Sequence, residues 1–334
     1  MRVRKEKFQR IATEIINKNN IISFLDIVSL NMTLAPYNIL LLYDQDKRMT
    51  TVCGEGAWKL FKRDVSEDAK IYQIYLPELD EKDGKICFKY SPMGVVDAKY
   101  TRGGSFKPKP SPKKLPDGMV AITRRTIETV SPENIKKPHI GAEFNKEHGV
   151  FYLSNRLQTN KKYNALIQAY IDYLLESRGM SDPVLQLAIT YILLRQYDLD
   201  TSSIKGIAFK ELAERENQDH YEFLSNVVML SREILEQLNL PFMTMEETTL
   251  FNYIVKNKGT ISNIPEVRTK LVERIKEIEK ETEKDDEFMK TILSLKEKLM
   301  CCSDSDMLRL LNAIGDDFLP TYPPFEFSVK YTEV

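Results

Sequence analysis

The sequence predicts an α+β protein, with a small mixed helix-and-sheet region first and a mostly helical remainder after it. Three observations lead there. Between residues 50 and 96, short runs rich in β-branched and aromatic residues, such as Ile71 to Leu76, are separated by turn residues. From residue 161 onward, apolar residues recur at helical spacing. Between these regions, Gly103 to Gly118 carries four prolines and four lysines and has little to bury.

At 334 residues the chain has room for two domains, each with its own core. An apolar fraction of 42% excludes a wholly disordered chain. Cys53, Cys87 and the adjacent Cys301 and Cys302 lack the spacing of a metal site or a secreted disulfide framework, and His139, His148 and His220 are dispersed. These features imply a reducing, intracellular setting and no cofactor. The charged start has no apolar signal core and no run reaches membrane-span length, so no membrane partner is expected. Residues 1–142 hold 25 Lys and Arg against 17 Asp and Glu, whereas residues 143–334 hold 23 against 32. A basic front half suggests an anionic partner.

In chain order, residues 4–18 read as a helix with Phe8, Ile11, Ile15 and Ile16 on one face. Residues 20–31 form a second, and Pro36 starts a third that ends near Asp44. Strands follow at 50–53, 71–76, 86–90 and 95–96, with a turn at Asp83-Gly84. Residues 1–105 thus make the first domain and 106–118 a linker, either a solvated spacer or an extended lysine arm that follows a phosphate backbone. A strand is expected at 150–153.

The central helix is Lys161 to Gly179. Tyr163, Leu166, Ile167, Tyr170, Ile171, Leu174 and Leu175 form one continuous apolar face. On its flank, Gln168 and Asp172 lie one turn apart. A zinc peptidase needs two His at that spacing, with Glu after the first, to hold the metal and activate its water. Here the positions hold Gln168, Ala169 and Asp172, which supply neither imidazole nor base. Ser181-Asp182-Pro183 opens a further helix to about Tyr197, apolar nearly all round and therefore central. Helices follow at 204–215, 220–238 and 246–257, completing a second domain over 119–257. Residues 258–334 form a charged extension whose narrow seam (Leu271, Ile275, Ile278, Phe288, Ile292, Leu295, Leu299) either packs on its own domain or supports self-association through 265–300. An aromatic, Pro-rich tail ends the chain.

The front half resembles the N-terminal domain of ArdC-type antirestriction proteins over roughly residues 5 to 105. The resemblance rests on Asn38 before Ile39-Leu40-Leu41, then Gln45, Trp58, Arg63 with Val65, Ile71 to Pro77, and Val96-Asp97-Ala98-Lys99-Tyr100-Thr101. Lys62 and Asp68 stand where that pattern has glycines. Leu166-Ile167 are in register with the metallopeptidase-like helix of the same family, and Ala188 to Leu193 fit the helix after it. Leu185, Gln186 and Leu187 stand where an acidic ligand is expected. The resemblance implies a single-stranded DNA-binding first domain joined to a degenerate metallopeptidase-like domain that is not an enzyme. It implies an antirestriction protein of a mobile element or phage, working in the bacterial cytoplasm by occupancy and without metal, on DNA and on a host defence protein. Trp58, Lys59, Lys62, Arg63, Lys70, Tyr72 and Arg102, with Asn38, are the expected DNA contacts, since single strands are held by cations on phosphates and aromatic faces on bases. A lone Trp in a small domain is more often core than platform, and Tyr72 or Tyr75 can simply alternate inward, so the expectation rests more on the cations than on the rings. The alternative is a protein-interaction inhibitor whose acidic C-terminal half mimics DNA toward a defence nuclease.

Overall fold

The computed structural model describes residues 5–82, 85–104, 111–215, 219–238, 243–256, 264–281 and 286–312. The fold class is the expected α+β. The first half runs α1 (Lys5–Asn17), α2 (Ile21–Leu30), α3 (Pro36–Gln45), β1 (Val52–Cys53), α4 (Glu55–Leu60), β2 (Arg63–Val65), β3 (Ile71–Lys82), β4 (Lys85–Asp97), β5 (Thr101–Gly103), α5 (Leu115–Thr123), β6 (Ile127–Val130), β7 (Ala142–Asn145) and β8 (Val150–Ser154). The second half is helical: α6 (Thr159–Ser177), α7 (Pro183–Gln196), α8 (Glu211–Glu214), α9 (His220–Leu238), α10 (Met245–Lys256), α11 (Ile264–Glu281), α12 (Asp286–Cys301) and α13 (Asp304–Asn312).

The chain forms two compact units, each assembled from separated stretches. One comprises 1–7, 31–107 and 240–334; the other comprises 8–30 and 108–239. This division runs across the segment boundaries expected at 105, 118 and 257.

In the first unit, β1, β4 and β3 form an antiparallel sheet in that order, and β2 pairs with β5. Both sheet edges are occupied by side-chain amides from helical or turn residues. At the β3 edge, Asn38 Nδ2 donates to the Tyr75 carbonyl at 2.9 Å and Asn38 Oδ1 accepts from the Tyr75 N–H at 2.8 Å. Two turns along α3, Gln45 makes the same pair of bonds to the backbone of Gln73. At the β1 edge, Asn31 binds the Thr50 carbonyl and the Val52 N–H. An amide offers one donor and one acceptor, so it completes an exposed strand as a neighbouring strand would.

The far half of the β3–β4 ladder supplies Leu79, Ile86 and Phe88 to a core built with α10 to α13. Phe88 and Phe288 pack at 4.1 Å between ring centroids. All seven residues of the 271–299 seam are 0–1% exposed in this core. The seam itself is therefore consumed within the unit. Glu247 and Lys298, only 3% and 8% exposed, form an ion pair at 2.8 Å beneath it.

In the second unit, β6 and β8 run parallel, β7 is antiparallel to β8, and α6 packs on this sheet and on α7. Asp182 caps α7 by accepting from the Val184 N–H, with Pro183 following at the first helical position. The apolar surround expected of α7 is used fully, since it packs against α2, α6 and α9. The linker expected at 106–118 is corrected in part. Residues 112–114 make a 3-10 turn and α5 follows, burying Leu115 and Met119 in the same unit. These two lie one helical turn apart, so the prolines start a helix here rather than prevent one. Residues 105–110, the Asp83-Gly84 turn and the tail after 312 lie outside the described residues.

Candidate functional site

Two places carry the expected site residues, one in each unit. In the first unit they gather where α4, the β2–β5 ribbon and the start of β3 meet. A small core of Cys53, Ala57, Trp58 and Val96, with Val65 and Tyr100 packed against it, joins α4 to β1, β4 and the ribbon. Trp58 is 0% exposed, and its indole N–H donates to the Val96 carbonyl at 3.0 Å. Tyr72 is also 0% exposed, with its hydroxyl donating to Asp46. Asn38 is 0% exposed and clamps β3, with a further bond to Glu246 at 2.6 Å. These three expected DNA contacts are core and clamp residues instead. Their rings and amide are enclosed, so no base can stack on them in this conformation.

The cations lie differently. Lys59, Lys62, Lys70 and Arg102 are exposed. Lys59 pairs with Glu55 one turn earlier at 2.8 Å, a solvent-facing pair that is easily exchanged. Lys70 holds its ammonium 4.7 Å from the Tyr72 ring centroid. Arg102 stands opposite Asp64 in the β2–β5 register. Arg63 is tied down: its guanidinium lies over Trp58 and donates to Thr101 and to the carbonyls of Gly103 and Gly104.

Lys62 is the unusual member. Its φ is +55°, in the left-handed region that glycine adopts freely and a lysine adopts at a cost of about 1–2 kcal/mol. The partner strand meets it with Gly103 at φ +139°, where an added Cβ would lie 2.3 Å from the Lys62 carbonyl oxygen. The geometry here therefore demands glycine at the end of β5 and tolerates lysine in the turn before β2.

Behind these residues Asp46 organises the adjoining loop. Burial raises its pKa, but hydrogen bonds from Lys99, the Arg48 N–H and the Tyr72 hydroxyl outweigh burial and hold it at about 2.

In the second unit, Gln168, Ala169 and Asp172 project from α6 as the spacing requires. Ala169 is buried and Gln168 half-buried. Asp172 is bound to the Lys137 ammonium at 2.9 Å, a lysine from the segment before β7. Asp172 raises the Lys137 pKa most, and Glu176 and Glu143 add to the effect. An amide, a methyl and a carboxylate already neutralised by lysine do not fit a divalent metal. Among the described residues no group of three or more His, Cys, Asp or Glu side chains is arranged to hold one. Sequence reasoning missed Lys137, which lies 35 residues from its partner and belongs to no motif.

No family model and no curated protein matches the chain. Among solved structures it is similar to the crystal structures of the antirestriction protein ArdC from the R388 plasmid, one metal-free and one Mn(II)-bound. For each, sequence identity is 13%, the TM-score is 0.42, and the match covers 69% of this chain and 97% of that one. Among the described residues, no helix is long and apolar enough to cross a membrane.

Proposed function

We propose that the chain is a non-catalytic binding protein that acts by occupancy on single-stranded DNA. Its first unit grips phosphates through Lys59, Lys62, Lys70 and Arg102, and its second unit is a metallopeptidase-like scaffold without hydrolytic chemistry. The sequence resemblance supplies the setting: antirestriction on behalf of a mobile element or phage in the bacterial cytoplasm. The observation that carries the reading is Lys62, a solvent-facing cation kept at a backbone conformation that favours glycine.

With the aromatic candidates enclosed, cations dominate the affinity. Binding of a labelled oligonucleotide therefore falls steeply with salt, with a slope of about −0.7 per phosphate neutralised on a single strand. Titrations at low and high salt test this. An absence of binding at low salt overturns it.

A second reading has one observation in its favour. On the outer side of α12, Leu293 and Met300 are 49% and 58% exposed and two helical turns apart, a face suited to a protein partner such as a defence nuclease. Failure of the DNA titration would leave this reading in place.

A further inference from the structure

We infer that the open face of the β3–β4 ladder is the platform on which the bases of a single strand lie, which rests on the nucleic-acid reading above and gives it a location. In the ladder, Ile71 pairs with Val96, Gln73 with Gly94 and Tyr75 with Pro92, so these side chains share one face. The alternate residues Tyr72, Ile74 and Leu76 are buried on the other. α4 covers Val96 through Trp58 and stops there. Ile71 is left 67% exposed; Gln73, Gly94 and Pro92 are exposed and Tyr75 half-buried.

The face is suited to flat rings. Gly94 brings bare backbone to the surface, and a Cβ there would come within 3.0 Å of the Ile71 Cγ2. Tyr75 and Ile71 offer apolar contact on either side of that gap, and the Gln73 amide can donate to and accept from a base edge. The backbone beneath is held from the strand edge. Gln73 and Tyr75, which present side chains here, are the two residues clamped by Gln45 and Asn38. Asn38 is thus a positioning residue for the platform and not a contact. Charge selects the occupant: Lys62 lies in the turn after α4 and Lys70 precedes Ile71, both exposed, while Lys59 on α4 is shared with Glu55, so cations border an uncharged centre. Phosphates outside and bases inside match that pattern.

The test uses the full chain with Ile71→Ser and Tyr75→Ser, both outside the core and both uncharged, and a fluorescent oligothymidylate followed by anisotropy. Loss of one stacked or apolar base contact predicts about tenfold or more weaker binding in each variant. The salt slope stays unchanged, because no cation is removed. Photo-crosslinking with iodouracil placed along the oligonucleotide is expected to label Tyr75. Wild-type affinity in both variants, or crosslinks confined to other residues, overturns the platform and leaves the nucleic-acid reading intact. No binding by the wild-type chain overturns both.

Discussion

At the scale of single residues, Lys62 separates stability from function. Lys62→Gly relieves the left-handed strain, and the account predicts a gain of up to about 1 kcal/mol in unfolding free energy together with weaker oligonucleotide binding. Thermal or denaturant unfolding and an anisotropy titration on the same sample read the two effects, which must have opposite sign. Asp46 makes a second prediction at this scale. Its folded pKa of about 2 lies below the ordinary 3.8, so its contribution is fully present above 3.8 and is lost as pH falls toward 2. In Asp46→Asn the acid limb of the stability–pH curve should be shallower across that window, with little change in slope between pH 5 and 7 by the same linkage, on the order of a few tenths of a kcal/mol.

At the scale of elements, the buried pair of α10 and α12 is the sensitive joint. Burial raises the Glu247 carboxyl, while Lys298, Ser294 and the Thr244 N–H more than offset this and keep it ionised. Lys298→Met strands that carboxylate and should cost about 3–5 kcal/mol, whereas Glu247→Leu combined with Lys298→Met should recover most of the loss. Urea unfolding of the three proteins decides it. The helices that make this joint were legible because their apolar spacing is strong, as were α6 and α7, the latter through Asp182-Pro183. Their target was not, because the seam of α11 and α12 closes on Leu79, Ile86 and Phe88, nearly 200 residues earlier in the chain. Weak local signals failed as well. α4 has six residues and no period to say which way Trp58 faces, and in α5 the prolines and lysines obscured the Leu115–Met119 pair.

At the scale of the molecule, each unit is closed by distant chain segments, so the cation-bearing corner depends on α10 to α13 for its supporting sheet. Of the residues expected to form a site, Lys59, Lys62, Lys70 and Arg102 face solvent, while Trp58, Tyr72 and Asn38 are enclosed. On the α6 flank, Asp172 is likewise engaged within the unit, by Lys137 at 2.9 Å. The measurement that tests the account most directly is the salt dependence of oligonucleotide binding for the wild-type chain against a Lys62→Gln, Lys70→Gln, Arg102→Gln variant. Three lost phosphate contacts predict a slope shallower by about 2, at unchanged melting temperature. An identical slope in the two proteins would contradict it.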